Sequence, residues 1–189
     1  MCTRNYSHRL RERGADGRAA VCCGPSGVPQ RRLDFPEERV APSTEIVIGD
    51  VGAQHVLIRP IARSSPGLFD NWDANGLICE VELAAGGFRG RFSADMRSEE
   101  FHAFMDQILE LERTVDGAAT FATIEGQIAL SLSADSNGRV RVAGEALDSP
   151  GDGNRLTFRF DIDHTELSEI SRAIGYLLAA YPVVETPDA

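Results

Sequence analysis

Lysine is missing altogether: the 19 basic residues of this 189-residue chain are all arginine. That bias fits a GC-rich genome better than a phosphate-reading role. Cysteine is scarce and unpatterned, with Cys2, Cys22, Cys23 and Cys79 forming no C-x-x-C. His8, His55, His102 and His164 are scattered among them. No metal site, cofactor or disulfide framework is expected from such spacing, and a reducing cytoplasm fits it. No apolar run approaches the ~18 to 20 residues of a membrane span, and the N-terminus lacks the apolar core of a signal peptide. The chain carries no G-x-S-x-G, H-E-x-x-H, P-loop or G-x-G-x-x-G. No catalytic residue can be named, and an enzyme is not expected.

What is present is negative charge, unevenly distributed. The formal −10 divides into eight Arg against five acids over residues 1–42, and 11 Arg against 24 acids, or −13, over residues 43–189. A field of that sign argues against direct nucleic-acid binding, which needs a basic patch for the phosphates. A basic protein partner is its complement. Residues 1–42 have no hydrophobic period and contain Pro25, Pro29, Pro36 and Pro42, a composition that cannot offset the entropy of ordering. They read as a disordered or non-native N-terminal tail, followed by a single domain over 43–184 and a short tail over 185–189.

The organising stretch runs from Leu77 to Val115. Cys79, Val81 and Leu83 alternate with Ile78, Glu80 and Glu82, and Phe88, Gly90, Phe92 and Ala94 alternate with Arg89, Arg91 and Ser93. Period two gives each strand one core face and one wet face. The intervening A-A-G-G is turn material, and Glu80 and Glu82 should face Arg89 and Arg91. A helix follows, with Ser98 as the expected N-cap and Phe101, Phe104, Met105, Ile108, Leu111 and Val115 as its apolar stripe. Its other face carries Glu99, Asp106 and Glu110, with Arg113 the main local counter-charge. Upstream, I-V-I-G-D and Q-H-V-L-I-R-P-I predict a rim hairpin ended by Pro60. Between them and Leu77 lies a long loop with Phe69, Asp70, Asp73 and the only tryptophan, Trp72. That loop either is pinned to the core by its aromatics or closes on a small ligand. Asp70 and Asp73 read as turn caps or cation ligands.

A second block repeats the plan. Ile128, Leu130 and Leu132 face Val140 and Val142 only if the D-S-N-G connection is three residues long, Ser136 to Gly138, with Gly138 left-handed; Leu132 then pairs with Val142. The strand burying Leu156, Phe158, Phe160 and Ile162 leads to an Asp163–Glu166 capping box and a helix whose core face is Leu167, Ile170, Ile174, Leu177 and Leu178. The two strand–helix pairs superimpose at an offset of 66, carrying Phe92 to Phe158, Phe101 to Leu167, Phe104 to Ile170 and Ile108 to Ile174, the spacing of an internal duplication. Repeated hairpins with two amphipathic helices predict an α+β fold, mainly antiparallel curved sheet.

At W-D-A-N-G-L-I-C-E-V-E-L, A-G-G-F-R-G-R-F-S-A-D-M-R-S-E-E and G-N-R-L-T-F-R-F-D-I-D-x-T-x-L, the chain resembles the WapI-type immunity proteins, from about Glu45 to Val184. Its Gly76 departs from the bulky aromatic usual there. The resemblance implies a small bacterial protein that neutralises a contact-dependent polymorphic toxin, possibly a nuclease, inside the producing cell, with no functional residue to carry over. The acidic helix face of Glu99, Asp106 and Glu110 is then the candidate surface for a cognate toxin of basic character. The alternative is a ligand-binding or accessory module built around Trp72.

Overall fold

The computed structural model describes residues 43–67, 72–114 and 116–184; the two expected tails, Phe69, Asp70 and Val115 lie outside them. The chain order is β1 (Ile46–Gly49), β2 (His55–Arg63), β3 (Gly76–Ala85), β4 (Phe88–Arg97), α1 (Ser98–Arg113), β5 (Gly117–Ala122), β6 (Ile128–Ala134), β7 (Arg139–Leu147), β8 (Arg155–Asp163) and α2 (Leu167–Ala180). The antiparallel hairpins resolve into two four-stranded meanders, β1-β2-β3-β4 and β5-β6-β7-β8, each followed by its helix. The fold is α+β, and neither sheet closes into a barrel. The offset of 66 holds at the level of packing, because Phe101 and Leu167, Phe104 and Ile170, Ile108 and Ile174, and Leu111 and Leu177 are all buried.

One core joins the two repeats. The inner faces of both sheets and the buried stripes of α1 and α2 form a single apolar cluster, with α1 packed on α2 and on β5, and α2 on β1. Phe121 of β5 sits between Phe101 and Phe104 at centroid distances of 5.1 and 5.4 Å. Phe158 pairs with Gly144, where a Cβ would stand 2.4 Å from the Phe158 ring, so glycine is what admits that ring. Cys79 lies in the core as a free thiol, and burial, reinforced by the Asp95 and Glu100 charges, pushes its pKa up to about 12.

Several registers follow the hydrophobic pattern. Leu132 pairs with Val142, the Asp135 N–H donates to the Arg139 carbonyl at 2.9 Å, and Gly138 takes φ +77°. The Asp163–Glu166 capping box forms, with Glu166 Oε1 accepting the Asp163 N–H at 2.9 Å. It opens a 3-10 turn, His164–Glu166, which runs into α2.

Other expectations are corrected. The first hairpin turns on Gly86 and Gly87 alone, so Glu82 faces Arg91 and Glu80 faces Ser93, leaving Arg89 opposite Ala84. Glu80 is served instead by Arg59 of β2, at 2.5 Å. Alternation puts Phe88 on the core face, yet it is 66% exposed because the start of β4 overhangs the core, and Phe92 is only partly buried. Pro60 does not end its strand: β2 continues to Arg63 through a bulge between Pro60 and Ala62, beyond the last residue paired with β1. The N-cap of α1 is Arg97 rather than Ser98; Ser98 is buried as the first helical residue, and the box is closed by Glu100, which accepts the Arg97 N–H at 2.9 Å. α1 stops at Arg113, two residues short of Val115. At Gly76 a Cβ would lie 2.1 Å from Ser64 Oγ, so the Ser64 side chain occupies the space a larger residue would need.

Two measurements test this packing. Phe104→Ala should cost about 3 to 5 kcal/mol in urea unfolding, as expected for emptying a filled aromatic site. Thr165, through its hydroxyl and N–H, holds the Asp163 carboxyl below its ordinary 3.8, and the Asn137 and Arg139 N–H groups do the same for Asp135. A depressed carboxyl contributes stability above its unfolded pKa and loses it as pH falls through the lower folded value. The urea midpoint should therefore drop below about pH 4, less steeply in Asp135→Asn and Asp163→Asn.

Candidate partner-binding surface

The sequence of α1 separates its two faces cleanly. Phe101, Phe104, Ile108 and Leu111 go into the core, which leaves His102, Ala103, Asp106, Leu109, Glu110 and Arg113 exposed. Asp106 and Glu110 keep more than half of their side-chain surface in water. They are not bare charges: Asp106 lies 3.5 Å from His102 Nδ1, and Glu110 is bonded by Arg113 one turn on. Such exposed pairs contribute little to stability, about 0.3 to 0.5 kcal/mol on a helix, so both carboxylates remain available to a competing cation.

Glu99 is held differently. Its Oε1 accepts from Asn75 Nδ2 at 2.6 Å and from Arg97 at 3.2 Å, and its side chain is 37% exposed. Asn75 is buried and also clasps the chain after α2, donating to the Val184 carbonyl at 2.9 Å and accepting the Val184 N–H at 2.7 Å. Arg63 adds a bond to the Pro182 carbonyl at 2.6 Å and another to the Ala74 carbonyl. The segment 181–184 after α2 thus lies beside the start of α1. Between them opens a shallow hollow of about 340 Å³, lined by Glu99, His102, Ala103, Asp106 and Val183. A second hollow of about 220 Å³ lies at the other end of the helix, against Gln107, Glu110, Thr114, Asp116 and Ala118. Glu99, Asp106 and Glu110 therefore share one helix but not one pocket. Glu100 faces inward: it accepts the Arg97 and Ile124 N–H groups, while burial pushes its carboxyl above the ordinary range.

The Trp72 loop is not assembled into a site by the described residues. Trp72 opens a 3-10 turn, Trp72–Asn75, but its side chain, like Asp70, lies outside them, and Asp73 is exposed. Among the described residues no three His, Cys, Asp or Glu side chains converge as metal ligands. His55 is buried and His164 bonds the Leu111 carbonyl at 3.1 Å, so neither joins the α1 surface. No described helix is long and apolar enough to cross a membrane. Sequence reasoning missed Asn75, whose role depends on a contact 109 residues away; no local pattern signals that.

Two sheet-and-helix repeats around one core, with an outward acidic helix, define an α+β protein. Residues 46–182 match the Immunity protein WapI-like family, and the chain belongs to that family. No curated protein matches the chain. Among solved structures, a chain from "Crystal structures of Trypanosoma bruciei MRP1/MRP2" aligns at TM-score 0.41 and 10% identity, covering 75% of this chain and 86% of that one. A chain from the "CdiA-CT/CdiI toxin and immunity complex from Enterobacter cloacae" aligns at TM-score 0.34 and 8% identity, covering 69% and 97%. Similarity this loose says nothing about chemistry.

Asn75→Ala tests the clasp. It removes the donor shared by the part-buried Val184 carbonyl and Glu99 Oε1 and frees the Val184 N–H, so stability should fall by about 1 kcal/mol. Hydrogen exchange at Val184 should rise to the rate of an open chain.

Proposed function

We propose that this protein is a non-enzymatic immunity protein that binds a cognate bacterial toxin in the cytoplasm of the producing cell and blocks its action. The observation that carries the reading is the family match across residues 46–182. The outer face of α1 is the contact we assign, with Asp106 and Glu110 as exposed anions and Glu99 as a carboxylate fixed in place by Asn75 and Arg97. Its complement is a basic toxin surface, such as the substrate groove of a nuclease, where cations that would hold phosphates meet carboxylates instead. A strongly acidic partner accelerates such an encounter, because the field reaches across roughly a Debye length, ~8 Å at physiological salt.

The test uses the toxin encoded beside this protein, purified as an inactive variant. Charge reversal in Asp106→Arg/Glu110→Arg should slow association on the order of tenfold at low salt and flatten its salt dependence, without altering the melting temperature. Neutralisation of the active toxin should be stoichiometric rather than catalytic. An unchanged association rate would remove α1 from the interface; turnover of toxin by substoichiometric protein would remove the binding mechanism itself.

A further inference from the structure

β4 is the outer strand of the first sheet, and among the described residues no strand pairs with it on its free side. Near its end, the Ser93 carbonyl and the Asp95 N–H turn away from β3 and are taken by the Gln127 side-chain amide, at 2.9 and 3.2 Å. Main-chain groups alternate sides along a strand, so Arg89 and Arg91 also turn their N–H and C=O outward. Neither finds a partner among the described residues. Phe88, Arg89, Gly90 and Arg91 are all exposed. A bare ladder of this kind is a template for another strand.

The two faces of that edge differ. On one stand Arg89, which has no ion pair among the described residues, and Arg91, which reaches Glu82 at 2.7 Å. On the other stand Phe88, 66% exposed, and partly buried Phe92, with Gly90 between them, where a Cβ would meet nothing within 4 Å. We propose that the Arg89–Arg91 edge accepts an extended segment of a partner protein as a fifth strand, with acidic side chains over the arginines and apolar ones over Phe88. Charge selects this occupant. Arg91 is shared by Glu82 and Glu80 of β3, at 2.7 and 3.9 Å, which leaves Arg89 as the cation of this edge without an ion pair among the described residues, on a region of formal −13; a second copy of β4 would stack Arg against Arg, which opposes pairing. The inference is independent of the α1 reading, since it concerns another surface and a partner of the opposite charge.

The probe is a labelled, end-blocked peptide of about ten residues alternating Glu and Val, compared with its Lys–Val counterpart by fluorescence anisotropy on the full chain. The Glu–Val peptide should bind at least about tenfold more tightly and slow hydrogen exchange at Arg89, Arg91 and Ser93. Arg89→Pro removes an outward N–H that β3 does not use, so it should keep the melting temperature and lose the peptide. Should that variant fold poorly, Arg89→Glu, which leaves the main chain intact, should shift preference toward Lys–Val. Equal binding of both peptides by the wild type, protection away from this edge, or a concentration-dependent dimer abolished by Arg89→Pro would each overturn the proposal.

Discussion

The two sheets share one core through their side chains, and Gln127 ties the edge of the first sheet to the start of the second by hydrogen bonds. It is 2% exposed, and both ends of its amide bond to β4. Its own N–H goes to Thr123 Oγ1 at 3.0 Å and its carbonyl takes the Leu147 N–H at 2.8 Å. Each of these bonds left unmade would bury an unpaired polar group, at about 1 to 3 kcal/mol. The residue therefore fixes where the second sheet starts relative to the first. Gln107 of α1 does the same for β5, accepting the Thr120 N–H at 3.0 Å and donating to the Thr120 carbonyl at 3.4 Å.

These glutamines also mark the boundary of what sequence reasoning reaches. The Leu132–Val142 register, the left-handed Gly138, the Asp163–Glu166 box and the helix positions related by 66 were legible, because each follows from a local period or a steric rule. Gln107 and Gln127 were not, since an amide that substitutes for a missing strand looks like any polar residue in its own segment. Phe88 misled for a related reason: alternation gives the face a residue takes but not whether the sheet extends past its cover. Pro60 looks like a stop in sequence, although a bulge beyond a short neighbouring strand accommodates it. β5, only six residues and mostly alanine, glycine and threonine, offers little hydrophobic period to detect.

For the candidate surface, the pattern identified which face of α1 is wet but not how its charges are held. Glu99, Asp106 and Glu110 are one stripe in sequence and three environments in space: one clasped by Asn75, one beside a histidine, one paired to arginine. The acidic face and the open β4 edge also differ in kind. In the two proposals the first would act at a distance through its field, whereas the second would add main-chain alignment to charge.

Cys79 gives this architecture a built-in reporter. A thiol held protonated and away from water does not react with alkylating reagents, because the nucleophile is the thiolate. Labelling at this position must wait until β3 leaves the shared core. Its rate thus measures how often the first repeat opens, without any introduced label. Compared with hydrogen exchange in β6 and β7, it distinguishes a molecule whose repeats open together from one in which the first lets go while the second stays closed.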